Sequence, residues 1–394
     1  MRDATHVVLS HDAPPSIGGA HSWLYEVYRR WPMPVRFITD AAPSSENDRI
    51  AEFDSVQHGA LSFSRILQPV GDISFLRLGY LRALKQNRDH LCRELGRGRR
   101  VVHCLRAFPE GITALGSSVG FGRRPRIVTY AHGEEILVAR SSRQLNILAR
   151  AVYRASDLVI ANSVNTQAMV RELASSANVV VIHPGVDAAC YKVSPEGRRA
   201  ARAQLRLPEK SIVICTVSRM EPRKNQRAVI ESLPGLREGG RDYRYICAGD
   251  GVDRPALTAL VERLGVSAYV TFPGRVSELE KRRIFSASDI HVMPSIQVGQ
   301  MVEGFGIVFL EASASGIPSI AGDSGGQREA VIDGRTGRIV DGRDVAALSS
   351  AIRELGDDPG KRHAFGAAAE AFARDFDWSK VLKTTMDVVD RTIG

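Results

Sequence analysis

Short apolar runs alternate along the chain with longer segments whose apolar positions recur every three to four residues. In the first half the short runs are THVVLS (5–10), VRFITD (35–40), RVVHCL (100–105), RIVTYAHG (126–133), DLVIANS (157–163) and NVVVIHPG (178–185). SWLYEVYRR (22–30) and SRQLNILARAVYRAS (142–156) are helical segments between them. Strands that are apolar throughout, and separated by helices, predict parallel sheets covered on both faces. The rhythm pauses over HPGVDAACYKVSPEGRRAARAQLRLPEK (183–210), which is rich in Pro, Gly and Arg and reads as a linker. It restarts with SIVICTVSRM (211–220), YRYICAGDG (243–251), YVTFPG (269–274), IHVMPS (290–295), PSIAGDSGG (318–326) and TGRIV (336–340), again with helices between. The chain closes on an amphipathic helix, DWSKVLKTTMDVVDRTIG. The prediction is an α/β protein of two doubly wound domains, 1–187 and 188–375, facing a central cleft.

Composition narrows the class. At 394 residues, two cores are the natural division. Hydrophobic content of 44% and charged content of 25% suit a soluble globular protein, and no apolar run is long enough to span a membrane. The N-terminus meets an acid and a histidine too early for a signal peptide. The five cysteines are scattered without CxxC spacing, as in a reduced cytoplasmic protein. The net charge of +9 is uneven: residues 1–205 carry 27 Lys and Arg against 18 Asp and Glu, residues 206–394 carry 26 of each. Clusters at Arg97, Arg99 and Arg100 and at Arg123, Arg124 and Arg126 read as a basic face for anionic lipid or a phosphate-bearing substrate, or as solubilising charge. Without interleaved aromatics or a recognition motif, nucleic acid is not an expected partner.

Candidate chemistry lies in the loops after strands, where ligands bind in such sheets. EGFGIVFLEAS (303–313) places Gly304 and Gly306 at the start of a helix candidate, Ile307 to Ser315. Small residues there let backbone amides approach an anion. The acids Glu303 and Glu311 suit hydroxyl groups rather than phosphate. A nucleotide-sugar offers both, a diphosphate between two sugars. The plainer alternative is a capping acid and a surface glutamate. In SRMEPRKN (218–225), Arg219 and Lys224 sit on a strand-to-helix loop, where two cations neutralise a departing diphosphate or form a solvated turn. His103, His183 and His291 read as structural, and Asn162 and Ser163 end a strand beside the expected cleft.

Taken together, these segments resemble the GT-B retaining glycosyltransferases of family GT4. The likeness rests on the Gly-Gly loop after the first strand, HGEE (132–135), HPGVD (183–187), SRMEPRKN, AGDG (248–251), EGFGIVFLEASASGIPSIAGDSGG (303–326) and DGRTGRIV (333–340). It covers nearly the whole chain, more loosely between 40 and 125. The resemblance implies that Gly18 and Gly19 form a loop facing donor phosphates and acceptor. His132 would lie beside the donor sugar, and Arg219 and Lys224 would bind the diphosphate. Glu303 would contact the transferred sugar, with Gly304, Phe305, Gly306 and Ile307 offering backbone amides. Glu311 would take the ribose hydroxyls, and Arg275 and Val276 would border the base. It also implies that the C-terminal helix, 376–394, returns to complete the first domain.

The expected activity is retaining, metal-independent hexosyl transfer without a cofactor, first choice mannose from GDP-mannose to a polyprenyl-diphosphate-linked, other lipid-linked or polysaccharide-precursor acceptor. UDP-glucose or UDP-N-acetylglucosamine with a soluble acceptor is the alternative. No D-x-D motif lies near the expected cleft loops, and HGEE is not read as a metal site. The expected location is cytoplasmic, peripheral on the inner face of the membrane. The segment containing Phe63, Ile66, Leu67, Val70, Ile73, Phe75, Leu76 and Leu78 among Arg65 and Arg77 reads as an amphipathic membrane-docking stretch or an internal helix pair. A dinucleotide oxidoreductase is disfavoured because HDAPPSIGGA lacks the G-x-G-x-x-G fingerprint. A catalytically silent binding protein is disfavoured by the intact set Arg219, Lys224, Glu303 and Glu311.

Overall fold

A computed structural model of the chain describes residues 4–16, 18–41, 47–56, 58–69, 78–95, 99–118, 124–238 and 240–393. Its contacts divide into two units, one of Met1–Pro184 with Trp378–Gly394, the other of Gly185–Asp377.

Seven strands form the first unit's sheet: β1 (Ala4–Leu9), β2 (Val35–Asp40), β3 (Leu61–Leu67), β4 (Arg99–Cys104), β5 (Arg126–Ala131), β6 (Leu158–Ala161) and β7 (Val179–Val181). All pair in parallel, in the order β3-β2-β1-β4-β5-β6-β7. Successive side chains point to opposite faces. Val8, Phe37, Val128 and Ile160 therefore meet the helix Gly19–Tyr28 through Trp23, Leu24, Val27 and Tyr28. The helix Trp378–Ile393 joins that face through Trp378, Val381 and Val389, so the last segment of the chain completes the first unit's core. Val7, Leu9, Val102 and Ile127 point the other way, against Leu91 and Leu95 of the helix Leu78–Leu95.

Within that unit the stretch from Phe63 to Leu67 is an edge strand, neither a docking helix nor part of a helix pair. LSFSRIL pairs with β2 and buries only its ends, Leu61 and Leu67. Val70, Ile73, Phe75, Leu76 and Arg77 lie outside the described residues.

The second unit has β8 (Ile212–Val217), β9 (Tyr243–Ala248), β10 (Val270–Gly274), β11 (Ile290–Met293), β12 (Ser319–Gly322) and β13 (Gly337–Val340). They are parallel, in the order β10-β9-β8-β11-β12-β13. One face packs on the helices Gln226–Glu238 and Val345–Asp357. The other packs on Glu278–Ala287 and Ile307–Ala314. The stretch 183–210 is not a bare linker. It holds the helices Ala188–Tyr191 and Pro195–Gln204, each started by a side chain, Asp187 and Ser194, accepting a backbone N–H.

Each strand order reverses at one point, between β1 and β4 in the first unit and between β8 and β11 in the second. Crevices at the carboxyl ends of such strands are where open α/β sheets bind ligands.

Candidate functional site

In the second unit the loop after β8 carries Arg219, Arg223 and Lys224, and the loop after β11 carries Glu303. The two loops are stitched together. Ile296 N–H donates to the Arg223 carbonyl at 2.9 Å, and Asn225 Nδ2 donates to the carbonyls of Pro294 at 3.2 Å and Gly342 at 2.6 Å. Lys224 Nζ thereby meets a Glu303 carboxylate oxygen, with Arg223 Nη1 3.1 Å from the same oxygen. All three residues are at least nine-tenths buried. Burial alone would raise Glu303's pKa, but the adjacent charges of Lys224 and Arg223 prevail and hold it below the usual carboxylate range. Glu221 links this cluster to solvent, bonding Arg223 Nε at 3.0 Å and pairing with the exposed Arg219 at 2.9 Å.

Glu303 is clamped from its backbone as well. Gly326 N–H donates to its carbonyl at 3.0 Å, and Gly325, at φ +68°, passes so close that a Cβ there would lie 2.2 Å from that oxygen. Three residues on, Gly306 takes φ +91° and starts the helix Ile307–Ala314. A methyl at Gly306 would fall 2.7 Å from the Phe309 ring. The helix start directs its unshared N–H groups outward and attracts an anion. Gly304 and the half-buried Ile307 flank this start, while the Phe305 side chain is buried in the core.

Glu311 lies one turn into the same helix and has its own cation. Lys281 Nζ is 2.6 Å from Glu311 Oε1 and 2.9 Å from Glu278 Oε1, and Tyr191 OH donates to Glu278 at 3.3 Å. After β10, Arg275 is exposed and Val276 packs half-buried on the second unit's core.

In the first unit the corresponding strand ends carry a separate polar cluster. Gly18 precedes the helix Gly19–Tyr28, where Ser22 N–H donates to its carbonyl at 3.1 Å. His132 follows β5. Its Nε2–H donates to the Leu105 carbonyl at 2.9 Å, and its backbone N–H donates to Glu135 Oε1 at 2.8 Å. Tyr153 OH donates to that Glu135 oxygen at 3.1 Å, and Asn162 Nδ2 donates to the His132 carbonyl at 3.3 Å. Burial, with Arg106 nearby, pushes the His132 pKa down to about 3. The imidazole is therefore neutral near pH 7. With Nε2–H committed to Leu105, Nδ1 carries the lone pair and accepts hydrogen bonds.

Several residues at these ends were not singled out from sequence. His11 pairs with Asp40, Arg106 with Asp12, and the buried Glu110 accepts the His11 N–H at 3.0 Å. Burial opposes a charge on His11, but Asp40 and Glu110 outweigh it and raise its pKa. In the second unit Arg223, Lys281, Glu278 and Tyr191 were likewise missed. Arg223 stands beside Lys224 in SRMEPRKN (218–225) and was legible there. Lys281 meets a partner 30 positions away and gave no local signal.

The basic clusters of the first half start β4 and β5, at the opposite sheet edge from His132. Arg126 pairs with Asp157 at 2.7 Å and Arg124 donates to the Ala155 carbonyl, so part of their charge is answered internally. Arg97 and Arg123 lie outside the described residues. Among the described residues, no three His, Cys, Asp or Glu side chains group as a metal site, and no helix is long and apolar enough to cross a membrane.

Two family models match successive parts of the chain, "Glycosyltransferase Family 4" over residues 17–189 and "Glycosyl transferases group 1" over residues 197–372. A GDP-mannose-dependent alpha-(1-6)-phosphatidylinositol monomannoside mannosyltransferase of Mycolicibacterium smegmatis is 34% identical over 252 residues, 64% of this chain and 66% of that protein. The match thus spans just under two thirds of that relative. A Corynebacterium glutamicum GDP-mannose-dependent monoacylated alpha-(1-6)-phosphatidylinositol monomannoside mannosyltransferase is 28% identical over 379 residues, 95% of this chain and 94% of that one. A D-inositol 3-phosphate glycosyltransferase of Streptomyces avermitilis is 34% identical over 248 residues, 60% of this chain and 52% of that one. Among solved structures, Anabaena HepE in complex with UDP and glucose shares the fold, with a TM-score of 0.80 at 22% identity over 99% of this chain and 100% of that one. The fold, the two successive family matches and these relatives together make the chain a member of the GT4 family of GT-B glycosyltransferases.

Proposed function

We propose that this protein is a retaining hexosyltransferase that moves mannose from GDP-mannose to a lipid-linked acceptor of the phosphatidylinositol-mannoside kind. The observation that carries the reading is the pairing of two acids with buried cations around one helix start: Glu303 with Lys224 and Arg223, and Glu311 with Lys281. Hydroxyl acceptors on either side of an anion-attracting helix start match a diphosphate flanked by two sugars. The mannosyltransferase relatives supply the donor and acceptor class.

In this scheme the bond from the anomeric carbon to the diphosphate breaks and GDP leaves. Arg219, Lys224 and the amides of Gly304 to Ile307 stabilise the charge that develops on it. The acceptor hydroxyl bonds to the same face of the anomeric carbon, and its proton passes to the leaving phosphate oxygen. No enzyme carboxylate acts as nucleophile, because Glu303 is engaged by two cations. The two cationic side chains do what a divalent metal does elsewhere, so turnover persists in a chelator. The protein works at the cytoplasmic face of the membrane, with the basic first unit favouring an anionic surface.

A second reading is a UDP-sugar donor with a soluble acceptor; the D-inositol 3-phosphate glycosyltransferase relatives favour its acceptor, an inositol phosphate, and say nothing of the donor. Isothermal titration with GDP and with UDP in EDTA separates the two. Binding of GDP alone supports the first reading and binding of UDP alone the second. Binding of neither without metal counts against the metal-independent scheme.

A further inference from the structure

We propose that Lys281 is a positioning residue for nucleoside recognition, fixing the Glu311 carboxylate so that it accepts hydrogen bonds from the vicinal diol of a ribose. This rests on the nucleotide-sugar reading above and adds a residue to it from a different element.

Lys281 lies on the helix Glu278–Ala287, which precedes β11, and Glu311 on the helix Ile307–Ala314, which follows it. Both helices cover the same face of the second unit's sheet. His291 of β11 sits between them, with the Phe285 and Phe309 rings on it at 5.8 and 5.2 Å. The two backbones are therefore held in fixed register, and the 2.6 Å contact of Lys281 Nζ with Glu311 Oε1 is set by packing rather than by a mobile surface side chain. Both side chains are only 14% exposed. The other carboxylate on Lys281, Glu278, is 72% exposed and so contributes little.

Two consequences follow for a ligand. Held through one oxygen by the Lys281 ammonium, with Tyr191 also bonded to it, the carboxylate has a restricted range of orientations, and a restrained acceptor discriminates between a hydroxyl and its absence. The ammonium also cancels a negative charge on the very helix whose start attracts a diphosphate. The second effect weakens all nucleoside diphosphates alike when lost, whereas the first weakens only those with the diol. The two are separable by experiment.

The test is calorimetric titration of the full chain with GDP, UDP and their 2′,3′-dideoxy analogues, in the wild type and in Lys281→Met and Lys281→Arg. The wild type is expected to prefer the ribonucleotide by about tenfold or more, the ratio set by one charge-assisted hydrogen bond. Lys281→Met is expected to lose most of that preference, to roughly threefold or less, while Lys281→Arg retains most of it. The proposal is overturned if Lys281→Met keeps the wild-type preference, or if it loses affinity equally for both analogues. A wild type that binds no nucleoside diphosphate overturns the nucleotide-sugar reading itself, which distinguishes the two failures.

Discussion

Replacing Lys224 by Ala removes one of two cations from a carboxylate that is 8% exposed. The remaining partner, Arg223, is 3.1 Å from Glu303. A pair at that separation has about 5 kcal/mol of gross attraction at an effective dielectric of 20, most of it offset by desolvation. Glu303 therefore stays ionised, and the fold loses less than the roughly 3–5 kcal/mol seen when a buried charge is stranded. Catalysis is affected more. A donor aimed at charge that develops only in the transition state is worth about 10²–10³ in kcat, or about 2.7–4 kcal/mol. The assay is steady-state release of nucleoside diphosphate, at saturating donor and at low donor, with thermal unfolding as a control. The expected result is a kcat lowered by two to three orders of magnitude, on the order of the donor figure above, with donor KM changed by only a few fold. An unchanged kcat with a raised KM would mean that Lys224 binds substrate and transition state equally, and the leaving-group role would be refuted.

His132, with its pKa near 3, stays neutral across the working range. The rate profile should show no limb near pH 6–7 that disappears in His132→Gln; such a limb would contradict the neutral acceptor role. His6 is buried against His103, with Nδ1 3.0 Å from that ring's Nε2, and burial pushes its pKa from 6.5 to about 4. Between those values the unfolded chain binds the proton and the folded chain does not, so stability falls as pH drops from about 6.5 to 4. The full shift corresponds to about 3 kcal/mol for this group. Urea unfolding at pH 7 and at pH 4.5 measures the loss, and a His6→Gln variant with the same slope would show that His6 does not supply it.

The parallel sheets were legible because strands such as β6 (LVIA) and β8 (IVICTV) are short apolar runs buried at nearly every position, the pattern of strands covered on both faces. The edge strand β3 was not. The start of LSFSRIL alternates as a strand does, but the longer stretch places Ile66, Val70 and Ile73 at helical spacing, and β3 buries only its ends, so no continuous apolar run marked it. The helix Pro195–Gln204 was hidden for a related reason. It buries only Ala201, so no apolar stripe marks it, although Ser194 and Pro195 carry an ordinary helix start. At the candidate site, the glycines and acids of EGFGIVFLEAS were visible because their spacing is local. Lys281 with Glu311, His11 with Asp40 and Arg106 with Asp12 join residues 29 to 94 positions apart, and only the strand order brings them together.

The most direct test of the account is to incubate the purified chain with GDP-mannose and a phosphatidylinositol-mannoside acceptor in EDTA and read the product by NMR and the nucleotide by chromatography. The account predicts an α-linked mannosyl product formed with one equivalent of GDP. A β-linked product would contradict the retaining mechanism, and a failure of transfer from GDP-mannose and from UDP-sugars alike would contradict the assignment of the paired acids to a nucleotide-sugar.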